Sequence, residues 1–251
     1  AEAHMQRLQI GSDSTYAPIV IPSYNGARKR ANLTPLLAML LAREGVPVLV
    51  HGVCQDPGRV TSAEIFSALQ IKALQSIEQA QQQIMATNLA FVPIQVLAPA
   101  MHRILMMRQI LGLRNSTHTL VKILQPFEQP ALRLTSYTHP EYQIMLDRYF
   151  RELAPQVRGA ALLMRGTEGE AVASTARAQR VDCYWRGECE TLQETTTQLI
   201  AEPEYLPADT DAVNTADWIV NVLDGKVPIP ANIERQVEHC LRWSKKLKAE
   251  N

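Results

Sequence analysis

The stretch Pro22-Ser-Tyr-Asn-Gly-Ala-Arg-Lys-Arg-Ala-Asn-Leu-Thr-Pro35 gathers the residues best suited to holding an anion. It lies between an apolar strand-like run, Pro18 to Ile21, and an apolar helix-like run, Leu36 to Ala42. A strand, a turn of small and polar residues and then a helix make a phosphate cradle, because backbone N–H groups at the turn and helix N-terminus point outward. This turn holds one glycine, Gly26, and three consecutive cations, Arg28, Lys29 and Arg30. That trades a snug nucleotide cradle for a positively charged rim and points to a polyanion; alone, the three cations would equally make a solvated turn. Further on, Glu168-Gly169-Glu170 offers two carboxylates that could coordinate a cation, with a solvated turn as the simpler reading. Cys54, Cys183, Cys189 and Cys240 lack the tight Cys-x-x-Cys spacing of zinc sites and read as reduced thiols.

Several segments match a family pattern piece by piece. Where its enzymes read Gly-Thr-Gly-Gly-Asp, a spacer and Asn-Ile-Ser-Thr, this chain reads Pro22-Ser23-Tyr24-Asn25-Gly26 and Asn32-Leu33-Thr34-Pro35. Lys-His-Gly-Asn-Arg appears as Val50-His51-Gly52-Val53-Cys54, and Ser-Ser-Lys as Pro57-Gly58-Arg59. Leu97-Ala98-Pro99-Ala100-Met101-His102 is similar to Phe-Ala-Pro-Ala-Tyr-His. Arg108 with Leu111-Gly112-Leu113-Arg114 fits an arginine-bearing helix and its exit. From Pro22 to Val172 the chain thus resembles the anthranilate phosphoribosyltransferase superfamily (glycosyltransferase family 3). It is most similar to the YbiB-type, non-enzymatic DNA-binding branch, with which Pro-Ser-Tyr-Asn-Gly-Ala-Arg-Lys is associated.

The departures from the enzymes' pattern carry as much meaning as the matches. Pro22 lacks a backbone N–H, and side chains at Tyr24 and Asn25 prevent close approach of a ligand. The Asp-Gly-x-Asp-Glu that the resemblance assigns to magnesium becomes Glu168-Gly169-Glu170-Ala171-Val172, and neither Ala171 nor Val172 can bind a cation. Asn115-Ser116-Thr117-His118 replaces the enzymes' Arg-Thr-x-Phe-Asn-type chemistry, and Lys122 stands in place of a proline. Against these losses, Arg28, Lys29, Arg30, Arg59, Arg103, Arg108, Arg114 and Lys122 lie on segments that converge on one cleft in the family. Asn32, Thr34, Asn115 and His118 add groups suited to phosphate or sugar. His102 and His118 also fit as ordinary helix-surface or capping histidines, and Arg108 as half of a salt bridge across a hinge.

The resemblance implies a non-catalytic protein, cytoplasmic and homodimeric, that holds DNA or RNA by its backbone with little sequence preference. No cofactor is implied. The alternative is a phosphoribosyltransferase acting on an aromatic amine or base, which would require magnesium. Aromatic content of 6% leaves Tyr24 the only ring near the set, so a platform of stacked bases is not expected.

Bulk properties bound these readings. The 251 residues include 25 Lys plus Arg against 25 Asp plus Glu, a balance that argues mildly against a nucleic-acid binder unless charge is segregated into a patch. The longest apolar stretch, Leu33 to Ala42, is too short to span a bilayer, so no membrane partner is expected.

The elements that must position these residues alternate. Short apolar runs at Pro18–Ile21, Val46–Val50, Leu89–Pro93, Leu132–Ser136 and Ala160–Met164 read as strands buried on both faces. Helical patterns fall at Leu36–Ala42, with Asn32 or Thr34 as cap, at Ala63–Leu69 behind Thr61 and Ser62, and at Ser76–Thr87. Others fall at Pro99–Leu111, Ser116–Leu124, His139–Leu153, Thr191–Ile200, Thr215–Leu223 and Ala231–Lys248. The expected fold is an α/β domain of the nucleoside phosphorylase/phosphoribosyltransferase-like kind with a small, truncated helical domain. Residues 1–16 are expected to form the end of that helical domain, an amphipathic helix to residue 10 followed by a linker. Residues 17–251 are expected to form the α/β domain, with 98–126 a helical hinge segment.

Overall fold

A computed structural model of the protein describes residues 2–11, 14–196 and 205–250. Strands β1 (Ile19–Ser23), β2 (Val48–Gly52), β3 (Leu89–Pro93), β4 (Ala131–Tyr137), β5 (Gly159–Arg165), β6 (Val181–Trp185) and β7 (Glu188–Gln193) form one sheet in the order β3-β2-β1-β4-β5-β6-β7. The first five are parallel, while β6 and β7 run antiparallel. Alternate residues of each parallel strand enter opposite cores, which is why these strands read as continuous apolar runs. Ile19 and Ile21 of β1 face one core while Val20 faces the other, and Val48 and Val50 of β2 divide likewise from Leu49.

The helices α1 (Thr34–Arg43), α2 (Ser62–Ala68), α8 (Ala212–Leu223) and α9 (Ala231–Ala249) share the first core. The second is covered by α3 (Ile77–Thr87), the single turn α4 (Ile94–Leu97), α5 (Pro99–Leu111) and residues Met5 and Leu8. A smaller cluster beneath α7 (Pro140–Arg148) packs Leu146 and Phe150 on Leu163 and Tyr184. The one-turn helix α6 (Thr117–Leu120) and a 3-10 turn, Val121–Ile123, connect α5 to β4.

Three expectations are corrected. Residues 2–10 are not a helix beyond the 3-10 turn Glu2–His4; Leu8 instead bonds Pro126 and Glu128 through its backbone and is buried. Segment 116–124 is broken into α6 and its 3-10 turn, and 139–153 ends in a π-turn from Tyr149. Thr191–Gln193 belongs to β7 rather than a helix, and residues 197–200 of that expected helix lie outside the described residues. The β6–β7 hairpin turns on Arg186 and Gly187, both with positive φ (54° and 82°), the geometry a two-residue hairpin requires.

Strand order reverses at β1, with β2 on one side and β4 on the other. β1 pairs with β4 at only two positions, Ile19↔Leu132 and Val20↔Arg133, against five with β2. Beyond Val20 the strands part, opening a crevice at their carboxyl ends. That is where α/β sheets bind ligands.

Candidate anion-binding site at the carboxyl edge of the sheet

The turn after β1 forms one wall of this crevice, and its main chain is already engaged. The N–H groups of Asn25 and Gly26 donate to Glu170 Oε1 at 2.6 and 2.7 Å. Those of Arg28 and Lys29 donate to Glu168 Oε2 and Oε1 at 2.6 and 2.8 Å. These are lengths of charge-assisted hydrogen bonds. The N–H groups of this turn converge on anions, and the anions are the chain's own carboxylates. Glu170 is only 2% exposed, which corrects the expectation of a solvated turn at 168–170.

The loop bearing these carboxylates is clamped from beneath. The Gly169 carbonyl accepts from Asn25 Nδ2 at 2.7 Å, Lys122 Nζ at 2.7 Å and Ser136 Oγ at 2.8 Å. Glu168 and Gly169 both have positive φ, 51° and 92°, and a Cβ at Gly169 would lie 2.4 Å from Asn25 Nδ2. Only glycine fits that position without displacing the clamp. Burial lowers the Lys122 pKa to about 8, with Glu170 opposing the shift and Arg114 adding to it.

Asn32 and Thr34 serve structure. Asn32 is buried, donates to Ser62 Oγ at 2.9 Å and accepts from the Thr34 N–H at 3.1 Å, while Ser23 also donates to Ser62 Oγ. Thr34 is fully buried at the start of α1, whose N-cap residue is Leu33. Tyr24 Oη lies 2.6 Å from Nδ1 of buried His51. Burial lowers the His51 pKa to about 3, so its ring is neutral.

The cations fall into distinct groups. Arg28, Lys29 and Arg30 have exposed side chains on the outer rim of the turn. Arg59, Arg108 and Arg114 approach one another at the mouth of the crevice: burial first, then the charges of Arg108 and Arg59, lowers the Arg114 pKa. Arg108 is bound to Asp56 at 2.8 Å, the salt-bridge alternative, and with Tyr24, Leu105 and His118 lines a cavity of about 230 Å³. Arg114, Asn115, His118 and Lys122 line a neighbouring groove of about 540 Å³ with Tyr137 and Tyr142. The His118 pKa is lowered, mainly by burial, and its Nδ1 meets the Asn115 backbone. Arg103 is exposed on α5, outside the residues lining either cavity.

The positions the resemblance assigns to magnesium lack its ligands. Ala171 and Val172 are buried core residues, both Glu168 oxygens and Oε1 of Glu170 accept from backbone N–H groups, and only Glu170 Oε2 is left buried without a hydrogen-bond partner. Among the described residues no cluster of three or more His, Cys, Asp or Glu could hold a metal ion. Sequence reasoning missed Asp56, the role of Ser62 as common acceptor for Ser23 and Asn32, and the inward role of Glu168 and Glu170. The available signal for the last was a Glu-Gly-Glu turn directly after a strand, facing a turn rich in free N–H groups.

Comparison with known proteins supplies the family and the fold. Residues 25–227 match the α/β domain of the glycosyl transferase family. The chain belongs to that family of α/β-domain proteins, glycosyltransferase family 3. Within it the chain falls in the YbiB-like branch: it is 44% identical over 225 residues to the uncharacterized protein YbiB of Escherichia coli (strain K12), covering 89% of this chain and 68% of that one. An anthranilate phosphoribosyltransferase of Shouchella clausii is 31% identical over 139 residues, 55% of this chain and 36% of the enzyme. Among solved structures, anthranilate phosphoribosyltransferase from Thermus thermophilus superposes with a TM-score of 0.70 at 20% identity, covering 98% of this chain and 71% of that one. The Saccharomyces cerevisiae enzyme in complex with PRPP and Mg gives 0.68 at 14% identity, covering 99% and 71%. These structures share the fold. No helix of the described residues is long and apolar enough to cross a membrane.

Proposed function

We propose that this protein is a non-catalytic nucleic-acid binder, cytoplasmic and homodimeric, that grips the phosphate backbone of DNA or RNA at the carboxyl edge of its sheet. The observation that carries this reading is the gathering of Arg59, Arg108 and Arg114 at the crevice mouth, flanked by the exposed side chains of Arg28, Lys29 and Arg30. A chain of zero net charge thereby has a local positive patch, which is what a polyanion meets. The core positions of Ala171 and Val172 support the absence of phosphoribosyl transfer, because a pyrophosphate leaving group needs divalent charge. Asp56 neutralises part of Arg108, so Arg114 and the rim are expected to carry most of the affinity.

Fluorescence anisotropy with labelled oligonucleotides at two ionic strengths tests the proposal. Affinity should fall steeply with salt, by about 0.9 of log–log slope for each phosphate neutralised on duplex DNA. Reversing Arg28, Lys29 and Arg30 together to Glu should abolish binding while leaving the fold intact. Binding that ignores salt, or a magnesium-dependent affinity for phosphoribosyl pyrophosphate, would favour the transferase alternative instead.

A further inference from the structure

The Asn25, Gly26, Arg28 and Lys29 N–H groups are all engaged from within the chain. Two separate carboxylates fill the nest they form, and each takes two donors. The loop that delivers them sits in left-handed backbone at Glu168 and Gly169 and is fixed by three donors converging on one carbonyl. A solvated loop would need none of this. An incoming phosphate must displace an intramolecular partner held at high effective concentration. It must also strip the Glu170 carboxylate of its two N–H donors in a site 2% exposed.

We infer that the 168–170 turn is an internal competitor for phosphate. Its two carboxylates hold the main-chain nest shut against pyrophosphate-bearing small molecules, and their removal opens a working anion site. A polyanion is thereby confined to side-chain contacts at this turn, while the main-chain donors stay reserved. Asn25, Lys122 and Ser136 are positioning residues in this device, acting through Gly169.

The two carboxylates differ in a way that makes the test tractable. Glu168 is partly exposed and holds Arg28 and Lys29; Glu170 is buried and holds Asn25 and Gly26. Glu168→Ala should open half of the nest without emptying a buried position, and Glu168→Ala/Glu170→Ala should open all of it. Isothermal titration with inorganic pyrophosphate, in the full chain and without magnesium, should show at least a tenfold gain in affinity for Glu168→Ala over wild type. A larger gain is expected for the double variant. Amide resonances of Arg28 and Lys29 should shift on addition of pyrophosphate to Glu168→Ala and stay fixed in wild type. Glu188→Ala removes the same charge far from the nest and should give no gain. The inference is overturned if wild type binds pyrophosphate as tightly as the variants, if folded Glu168→Ala gains nothing, or if Glu188→Ala gains as much. Should the double variant fail to fold, the single variant decides. No nucleic acid enters the assay, so its result is independent of the proposed function.

Discussion

Lys122 shows how one residue can serve structure at a site where a ligand is expected. The resemblance puts it on a segment lining the crevice, and its ammonium donates to Gly169 and Ser136 there. Its pKa of about 8 lies below the ordinary lysine value near 10.4. Below about pH 8 folded and unfolded chains both hold this proton, and the cost of burying the charge is present in full. Between about 8 and 10.4 the unfolded chain holds more of it, so this residue's contribution makes stability rise with pH in that window. Denaturant midpoints at pH 7.5 and 9.5 should therefore differ between wild type and Lys122→Met, with the alkaline gain smaller in the variant. Gly169 is the companion case. Gly169→Ala forces a Cβ to 2.4 Å from Asn25 Nδ2 at a φ of 92°, and should destabilise the protein by about 1–3 kcal/mol in urea unfolding.

Elements set the precision with which such residues meet. Helix α2 is held at its start by a capping box in which Thr61 and Glu64 satisfy each other's backbone N–H groups. It presents Ser62, which receives both Ser23 and Asn32, so the cap indirectly fixes the turn after β1. Thr61→Ala should cost about 1 kcal/mol, read as a lower melting temperature in calorimetry. This cap was legible beforehand because a hydroxyl pair preceded an apolar helical pattern. The five parallel strands were legible too, as continuous apolar runs. The β6–β7 hairpin was not: its turn is Arg186-Gly187 rather than Asn-Gly, and Asp182 within β6 interrupts the apolar pattern. Leu8 escaped notice for a different reason, since only a distant partner at 126–128 draws its segment out of helix. The carboxylate plug was only half legible: the Glu-Gly-Glu turn stands out locally, but Glu170 and its partner Asn25 are far apart in sequence, so nothing local links the two turns.

At the scale of the whole molecule, some of the acids that bring the net charge to zero are engaged within the crevice, as Asp56, Glu168 and Glu170, and others are exposed at the far margin of the sheet. Glu188 and Glu190 stand exposed on β7, which ends the sheet on the side away from β3. Among the described residues no further strand pairs with β7. Glu190 is tied at 2.6 Å to Arg242 of α9, which braces that margin against the helical layer. An open row of peptide groups is ordinarily a template on which other chains assemble into ribbons. Here a newcomer would have to seat itself beside two negative side chains, which discourages self-stacking along this border. Glu188→Ala/Glu190→Ala removes that deterrent, and light scattering should then record growth of large particles absent from wild type.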